Sequence, residues 1–267
     1  MNILVCVKQV PDTTEIKINP ETNTLIREGV PNIVNPYDGY ALETAVRIKE
    51  GSAGSKVIVL CMGPAQAQTA LRECLAVGAD KAYLVSDKIF GGSDTLATSY
   101  ILSEAIKKVE EEEGRLDLIF CGKQAIDGDT AQVGPEMAEH LGLPQITYGI
   151  EAEVDGDMVK VKREAEVGYT IVGAKLPCLV TMTQTFYEPR YPTIKSKMAA
   201  KKAKIATLGA EDFASIDTGR CGLKGSPTKV KKTFVPVRNK DGLIIDEGSL
   251  EESTVKLVSL LSDAAII

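Results

Sequence analysis

The chain has 267 residues, of which 44% are apolar and 25% charged, and it carries a net charge of −6. That length admits one large α/β domain, or a domain with an appendage. The acidic balance argues against nucleic acid as a partner, which needs a basic face, and no apolar run approaches the roughly 20 residues that cross a membrane.

The amino terminus, MNILVCVKQV, enters a strand directly and lacks the layout of a signal peptide. A cytoplasmic protein is the expectation. Ile3–Val7 is a continuous apolar run and reads as a first buried strand. Glu15–Ile18 and Thr24–Ile26 flank Asn19-Pro20-Glu21-Thr22-Asn23, which predicts an exposed hairpin. Asn35-Pro36 opens a helix, with Asn as cap and Pro in the first turn; Tyr40, Ala41, Leu42, Ala45, Val46 and Ile48 are expected to face inward and Gly51 to end it. Lys56–Cys61 reads as a second buried strand. Pro64 starts a helix carrying Ala67, Ala70, Leu71 and Cys74, closed by Gly78. Ala82–Val85 is a third strand, and Ser93–Glu113 a long helix with a charged last stretch.

The next stretch, Leu116–Tyr148, organises the rest. Leu118–Cys121 has the length of a buried parallel strand. A polar loop with Gly122 and Gly128 follows. Then Val133, Met137, Ala138 and Leu141 recur at helical spacing, with Gly142 and Pro144 closing the helix. Strand, glycine loop and helix start together suit a phosphate, because free amides and the helix dipole point at an anion that glycine lets come close. Thr130 or Asp129 is expected to cap the helix, leaving N–H groups around Thr130–Val133 for a ligand. Asp127 and Asp129 place negative charge in the loop; they suit ribose hydroxyls, turn amides or a cation better than phosphate. The plain alternative is an ordinary strand-to-helix connection with capping aspartates.

After Tyr148 the pattern changes. Glu151–Val154 and Met158–Lys162 flank Asp155-Gly156-Asp157, a hairpin signal. Tyr169–Val172 and Leu179–Thr183, separated by Pro177, read as further antiparallel strands finishing a parallel sheet. From Glu188 apolar density falls. EPRYPTIKSKMAAKKAKI is a proline-punctuated loop running into a basic helix. Residues 206–248 offer only the strand-like run Thr233–Val237, and an amphipathic helix at Leu250–Leu261 closes the chain. A tail with so few core residues is expected to lie across a partner. Four strand–helix alternations with short connections predict a doubly wound, mostly parallel α/β sheet of Rossmann-like, adenine-nucleotide-binding type, with antiparallel additions and an extended C-terminal arm.

In such a sheet, ligands bind where strand order reverses, beyond the carboxyl ends of the strands. The residues leaving the strands there are Cys6–Lys8, Met62-Gly63, Ser86 onward and Gly122–Thr130. The helix starts at Asn35-Pro36-Tyr37-Asp38 and Phe90–Thr95 add amide clusters. Several helix N-termini around one crevice suit a dinucleotide better than a mononucleotide. The GGSDT stretch also resembles the SGGxDS loop of enzymes that adenylate substrates with ATP, although that loop follows a first strand and ends in Ser. An ATP-using or nucleotide-sensing α/β protein is therefore the alternative from another class. Six scattered cysteines without a CxxC pair, and the single histidine His140, give a metal site or a Cys–His nucleophile little to build on.

Several long stretches in order resemble the beta subunit of electron transfer flavoprotein. They are ILVCVKQVPD at Ile3–Asp12, NPYDGYALETAVRIKE at Asn35–Glu50, MGPAQAQTALRECLAVGAD at Met62–Asp80, CGKQAIDGDTAQVGPEMAEHLGLPQ at Cys121–Gln145 and EPRYPTIKSKMAAKKAKI at Glu188–Ile205. The resemblance implies a heterodimer with an alpha subunit carrying the main FAD, and a nucleotide, AMP in many members, held by this subunit. GGSDTLATS at Gly91–Ser99, Gly128 and the acidic end of NPYD at Asp38 resemble the electron-bifurcating branch, in which a second FAD replaces AMP. That branch implies hydride delivery from NADH. One electron then passes through the alpha-subunit FAD to a flavin-containing dehydrogenase, of acyl-CoA or 2-hydroxy-acid type, and the other to ferredoxin or flavodoxin. No side chain of this subunit is then a catalytic acid or base, since the cofactor carries the chemistry.

Carried over by position, Cys6, Asn35, Pro36, Tyr37, Asp38, Met62 and Gly122, Lys123, Gln124, Ala125, Ile126, Asp127, Gly128, Asp129, Thr130, Ala131, Gln132 and Val133 would line the adenosine and diphosphate. Asp94, Thr95 and Thr98 would approach the isoalloxazine. Tyr191, Pro192, Thr193, Ile194 and Lys195 match the loop that docks the dehydrogenase, with Ile194 as its apolar tip. Residues 1–188 would form the nucleotide-binding domain and 189–267 the docking loop and the arm embracing the alpha subunit. Thr13 departs from the pattern, standing where some members place an aromatic against the partner's flavin.

Overall fold

The computed structural model describes residues 1–12, 31–231 and 242–267. The predicted hairpin, the run at Thr233–Val237 and Thr13 lie outside the described residues. In chain order the elements are β1 (Asn2–Val7), β2 (Gln9–Pro11), β3 (Asn32–Val34), α1 (Pro36–Gly51), β4 (Lys56–Met62), α2 (Gln68–Ala76), β5 (Lys81–Val85), α3 (Thr95–Glu113), β6 (Leu118–Gly122), α4 (Val133–Leu141), β7 (Gln145–Asp155), β8 (Met158–Glu164), β9 (Tyr169–Lys175), β10 (Cys178–Met182), α5 (Ile194–Lys202), β11 (Ala206–Leu208), α6 (Gly222–Gly225) and α7 (Leu250–Asp263).

Nine strands form one sheet in the order β11-β5-β4-β1-β6-β10-β7-β8-β9. Pairing is parallel from β11 across to β7 and antiparallel from β7 to β9. The chain builds outward from β1 through β4 to β5, then returns to lay β6 on the other side of β1. Strand order therefore reverses between β1 and β6, with Cys6 in register with Cys121 at their carboxyl ends.

The apolar runs are continuous because side chains alternate between two covered faces. Ile3, Val5 and Phe120 pack with Ala41, Leu42, Val46 and Leu71 of α1 and α2. Leu4, Cys6 and Ile119 pack with Ile101, Ala105, Met137 and Ala138 of α3 and α4. Two cores thus share one sheet.

The structure corrects the reading of Leu179–Thr183. β10 is no antiparallel addition: it runs parallel between β6 and β7, with Leu179 opposite Ile119 and Val180 opposite Phe120. All five of its residues are buried, which is what a strand covered on both faces requires. β7 joins two sheet types, pairing with β10 through Gln145 and Ile146 and with β8 through Glu151–Asp155. A register shift separates the halves, beside Tyr148 at φ 61°. The edge strand β11 has no counterpart in the sequence reading; Ala206–Leu208 pair with Tyr83–Val85.

Contacts group Met1–Lys231 as one unit and Lys232–Ile267 as a second. In the second unit α7 is capped by Ser249, whose hydroxyl accepts from Glu252 N–H, and none of the helix residues is buried. No helix among the described residues is long and apolar enough to cross a membrane.

Phe120 is fully buried at the centre of the sheet. Phe120→Ala is expected to cost roughly 3–5 kcal/mol, read as a lowered urea midpoint with an unchanged slope.

Candidate functional site

The carboxyl ends of β1 and β6 open where strand order reverses, and the residues leaving them need acceptors for their amides. Asp38, in the first turn of α1, supplies both. Its Oδ2 accepts from Lys8 N–H at 2.7 Å and its Oδ1 from Gly122 N–H at 2.8 Å. This approach requires glycine at 122, since a β-carbon there would fall 2.5 Å from Asp38 Oδ1 and 2.6 Å from the Tyr37 β-carbon. Asn35 does not cap α1 with its side chain, as the sequence suggests it would. Its Nδ2 instead donates to Gln124 O at 2.9 Å, and its Oδ1 accepts from Ile126 N–H at 3.2 Å. The start of α1 is thereby tied to the loop after β6.

That loop differs from its sequence reading. Neither Thr130 nor Asp129 caps α4; the capping position is Gln132, whose side chain makes no cap bond. The cause is backbone: Asp129 and Ala131 take positive φ, 52° and 54°, so the chain is not yet helical at either residue. Such angles cost a non-glycine residue roughly 1–2 kcal/mol, a strain typical of ligand sites. Gly128 and Asp129 N–H both donate to Ala125 O. Among the described residues none accepts from the N–H groups of Thr130, Ala131 and Gln132. A left-handed Ala131 followed by a right-handed Gln132 is the geometry of an anion-binding concavity. The loop's carboxylates are already engaged. Asp127 pairs with Lys8 Nζ at 2.6 Å, and Asp129 accepts from Gln124 Nε2 at 2.7 Å.

The amides face a cavity of about 340 Å³. Cys6, Met62, Cys121 and Met137 give it sulfur-rich, apolar surface, and Thr95, Thr98 and Leu102 line it from α3. Of the residues carried over by position, Cys6, Asn35, Asp38, Met62, Asp94, Thr95, Thr98, Gly122–Ala125 and Gly128–Val133 line it, whereas Pro36, Tyr37, Ile126 and Asp127 do not. Val7, Lys8 and Ser93, from the strand-leaving segments, line it too. Leu102, Gly134 and Met137 escaped the sequence reading, although Leu102 follows Thr98, and Met137 follows Val133, by the four residues that share a helix face. Gly134 lets α4 sit down on the sheet; a β-carbon there would meet Thr181 Cγ2 at 2.7 Å and Cys121 Sγ at 2.9 Å.

Electrostatics narrow the chemistry. Asp94 caps α3 through Ala97 N–H and accepts from both the N–H and the hydroxyl of Thr228. Burial works against its charge, but these bonds hold its carboxyl below the usual range. Burial pushes the Cys6 and Cys121 thiols far up, so neither supplies a thiolate. Among the described residues no group of three acidic, Cys or His side chains could hold a metal ion. Thr95 Oγ1 lies 3.2 Å from Glu136 Oε1 and 3.3 Å from Gln132 Oε1. Free amides at a helix start, beside an apolar surface, suit the binding of an anion. The residues matched by position to a docking loop lie elsewhere, at and before the start of α5. There Tyr191 is 93% and Ile194 81% exposed, while Thr193 caps the helix in a reciprocal box with Ser196.

Burial pushes the Asp38 carboxyl up to about 7, against the pull of the Lys8 and Gly122 amides. In the native protein it keeps its proton where the unfolded chain has lost it, so its contribution to stability is present below about pH 4 and disappears as pH rises to about 7. Urea midpoints measured across that window should fall in the wild type. In Asp38→Asn that part of the slope should vanish; an equally steep fall would assign the titration to another group.

A family model described as the electron transfer flavoprotein domain matches residues 22–213. The electron transfer flavoprotein subunit beta of Megasphaera elsdenii is 53% identical over 247 residues, 92% of this chain and 91% of the relative. The protein of the same name from Thermoanaerobacterium thermosaccharolyticum is 49% identical over 267 residues, 100% of both chains. The caffeyl-CoA reductase-Etf complex subunit CarD of Acetobacterium woodii is 46% identical, again over 100% of both. Because the match runs through the amide loop and the start of α5 alike, the chain belongs to the electron transfer flavoprotein family, among its beta subunits.

Proposed function

We propose that this chain binds FAD in the cavity between α3 and α4 and receives hydride there from NADH. The two electrons are then divided between ferredoxin or flavodoxin and, through the FAD of an alpha subunit, a flavin-containing dehydrogenase. The carrying observation is the row of unpaired amides at Thr130–Gln132, held open by positive φ at Asp129 and Ala131 at the start of α4. Diphosphate is the group such a row suits, through its hydrogen bonds and the positive end of the helix dipole. Bound FAD would supply the electron chemistry. The side chains hold it: Cys6, Met62, Cys121 and Met137 offer it a soft apolar surface, and Thr95 and Thr98 offer hydroxyls at the far wall. No side chain is assigned a proton-transfer step.

The Acetobacterium relative is named for a complex with a CoA-ester reductase, which favours an acyl-CoA type of dehydrogenase over a 2-hydroxy-acid type. In this reading residues 1–188 hold the nucleotide, and 189–267 furnish the docking loop and an arm around the alpha subunit. The uncovered Leu250, Val255, Leu257 and Val258 of α7 support such an arm. A second reading, structural AMP in a plain electron carrier, is favoured by size. A cavity of about 340 Å³ is near the lower end of ligand pockets, about 300–1,000 Å³.

Nucleotides released from the purified heterodimer decide between the two. Two FAD per heterodimer are expected; one FAD with one AMP would favour the second reading, and an alpha–beta pair without either nucleotide on this subunit would remove both. Ile194→Ala is expected to raise the KM for an acyl-CoA dehydrogenase on the order of tenfold, a loss of about 1.4 kcal/mol. Flavin content should not change, and lost flavin would count against the docking assignment.

A further inference from the structure

Given that docking role, on which this inference rests, we propose that Arg190 and Arg72 are positioning residues that clamp the two ends of the docking segment and present its exposed face preformed. On α1, Tyr40, Glu43, Thr44, Arg47 and Glu50 recur at helical spacing and form one polar face. Residues 187–190 lie along it. Thr44 Oγ1 and Tyr187 OH share a hydrogen bond of 2.6 Å, the Arg47 guanidinium stacks 4.1 Å over the Tyr187 ring, and Tyr40 OH donates to Glu188.

Arg190 is the end point. Its backbone N–H donates to Glu43 Oε2 at 3.2 Å, and its Nε and Nη2 reach both Glu43 oxygens at 2.8 and 3.1 Å. Its Nη1 and Nη2 also reach the Glu50 carboxylate at 2.5 and 3.0 Å. The Glu43 side chain is only 4% exposed, so its charge is satisfied inside the fold by Arg190 and Arg47. A planar guanidinium can fork across two carboxylates in this way, and a lysine ammonium cannot.

The second anchor comes from α2. Arg72 Nη1 lies 2.8 Å from Ala200 O, 3.0 Å from Lys201 O and 3.2 Å from Ala203 O, the carbonyls around the end of α5. A cation is favoured at that pole of the helix. Between the anchors, Tyr191, Ile194 and Met198 are 93%, 81% and 61% exposed. Only Ala200 of α5 is buried, so the helix has almost no core of its own. Two arginines therefore do what burial does elsewhere. A segment ordered beforehand loses less entropy when a partner covers it.

The test uses the intact heterodimer carrying R190K or R72K, with Ile194→Ala alongside. Amide exchange over residues 191–203 is expected to quicken on the order of tenfold in each arginine variant, with exchange elsewhere and nucleotide content unchanged. The KM should rise by a similar factor for whichever of two probes the wild type reduces, an acyl-CoA dehydrogenase or a 2-hydroxy-acid dehydrogenase, while kcat stays the same. R190A should be at least as severe as R190K, since it removes both the fork and the charge that offsets buried Glu43. Unchanged exchange in both variants, or faster exchange at unaltered KM, overturns the proposal. If Ile194→Ala leaves KM unmoved, or the wild type reduces neither probe, it is the docking role that fails, and quickened exchange would still stand for the clamp.

Discussion

The buried carboxylate of Asp38 is the contact on which the architecture of the cavity depends. At the reversal of strand order, the Lys8 amide just beyond β1 and the Gly122 amide at the last residue of β6 both need an acceptor from outside the sheet. One side chain from a third element satisfies both, at 2.7 and 2.8 Å. The arrangement costs desolvation, visible in the raised pKa of the group. In return it fixes the start of α1 over the strand ends. Asn35, three residues earlier, reaches the other way into the loop. The two side chains together set where the amides of that loop stand.

Much of this arrangement is legible in the residues. Ile3–Val7, Val57–Cys61 and Leu118–Cys121 are unbroken apolar runs because both of their faces are covered, and a run of that kind has few other readings. α4 declares its end through Gly142, which takes a left-handed conformation as its C-cap. Other features are invisible for a physical reason. Leu179–Thr183 reads as a strand, but which neighbours it takes depends on tertiary packing. β11 is three residues long and has no period to detect. The amide row depends on positive φ at Asp129 and Ala131, and an alanine in that conformation carries no local signal. Leu102 and Met137 look like core residues because they are core residues whose ends happen to border a cavity.

α1 also links two parts of the molecule that the sequence presents separately. Its first turn holds the strand ends at the cavity through Asp38. Its later turns hold residues 187–190, which lead into α5, through Glu43, Thr44, Arg47 and Glu50. A helix of 16 residues spans about 24 Å at 1.5 Å per residue. The cavity and the exposed apolar tip are therefore mounted on one rigid rod, so a partner that grips the tip acquires a fixed bearing on whatever occupies the cavity.

All six cysteines are free and buried. Burial raises the thiols of Cys61 and Cys178 to about 12 and about 11, and it pushes Cys6 and Cys121 well up too. A reduced flavin that meets oxygen releases peroxide, and peroxide oxidises the thiolate rather than the thiol. The Cys6 and Cys121 sulfur atoms bordering the cavity are thus kept in the form least open to oxidation.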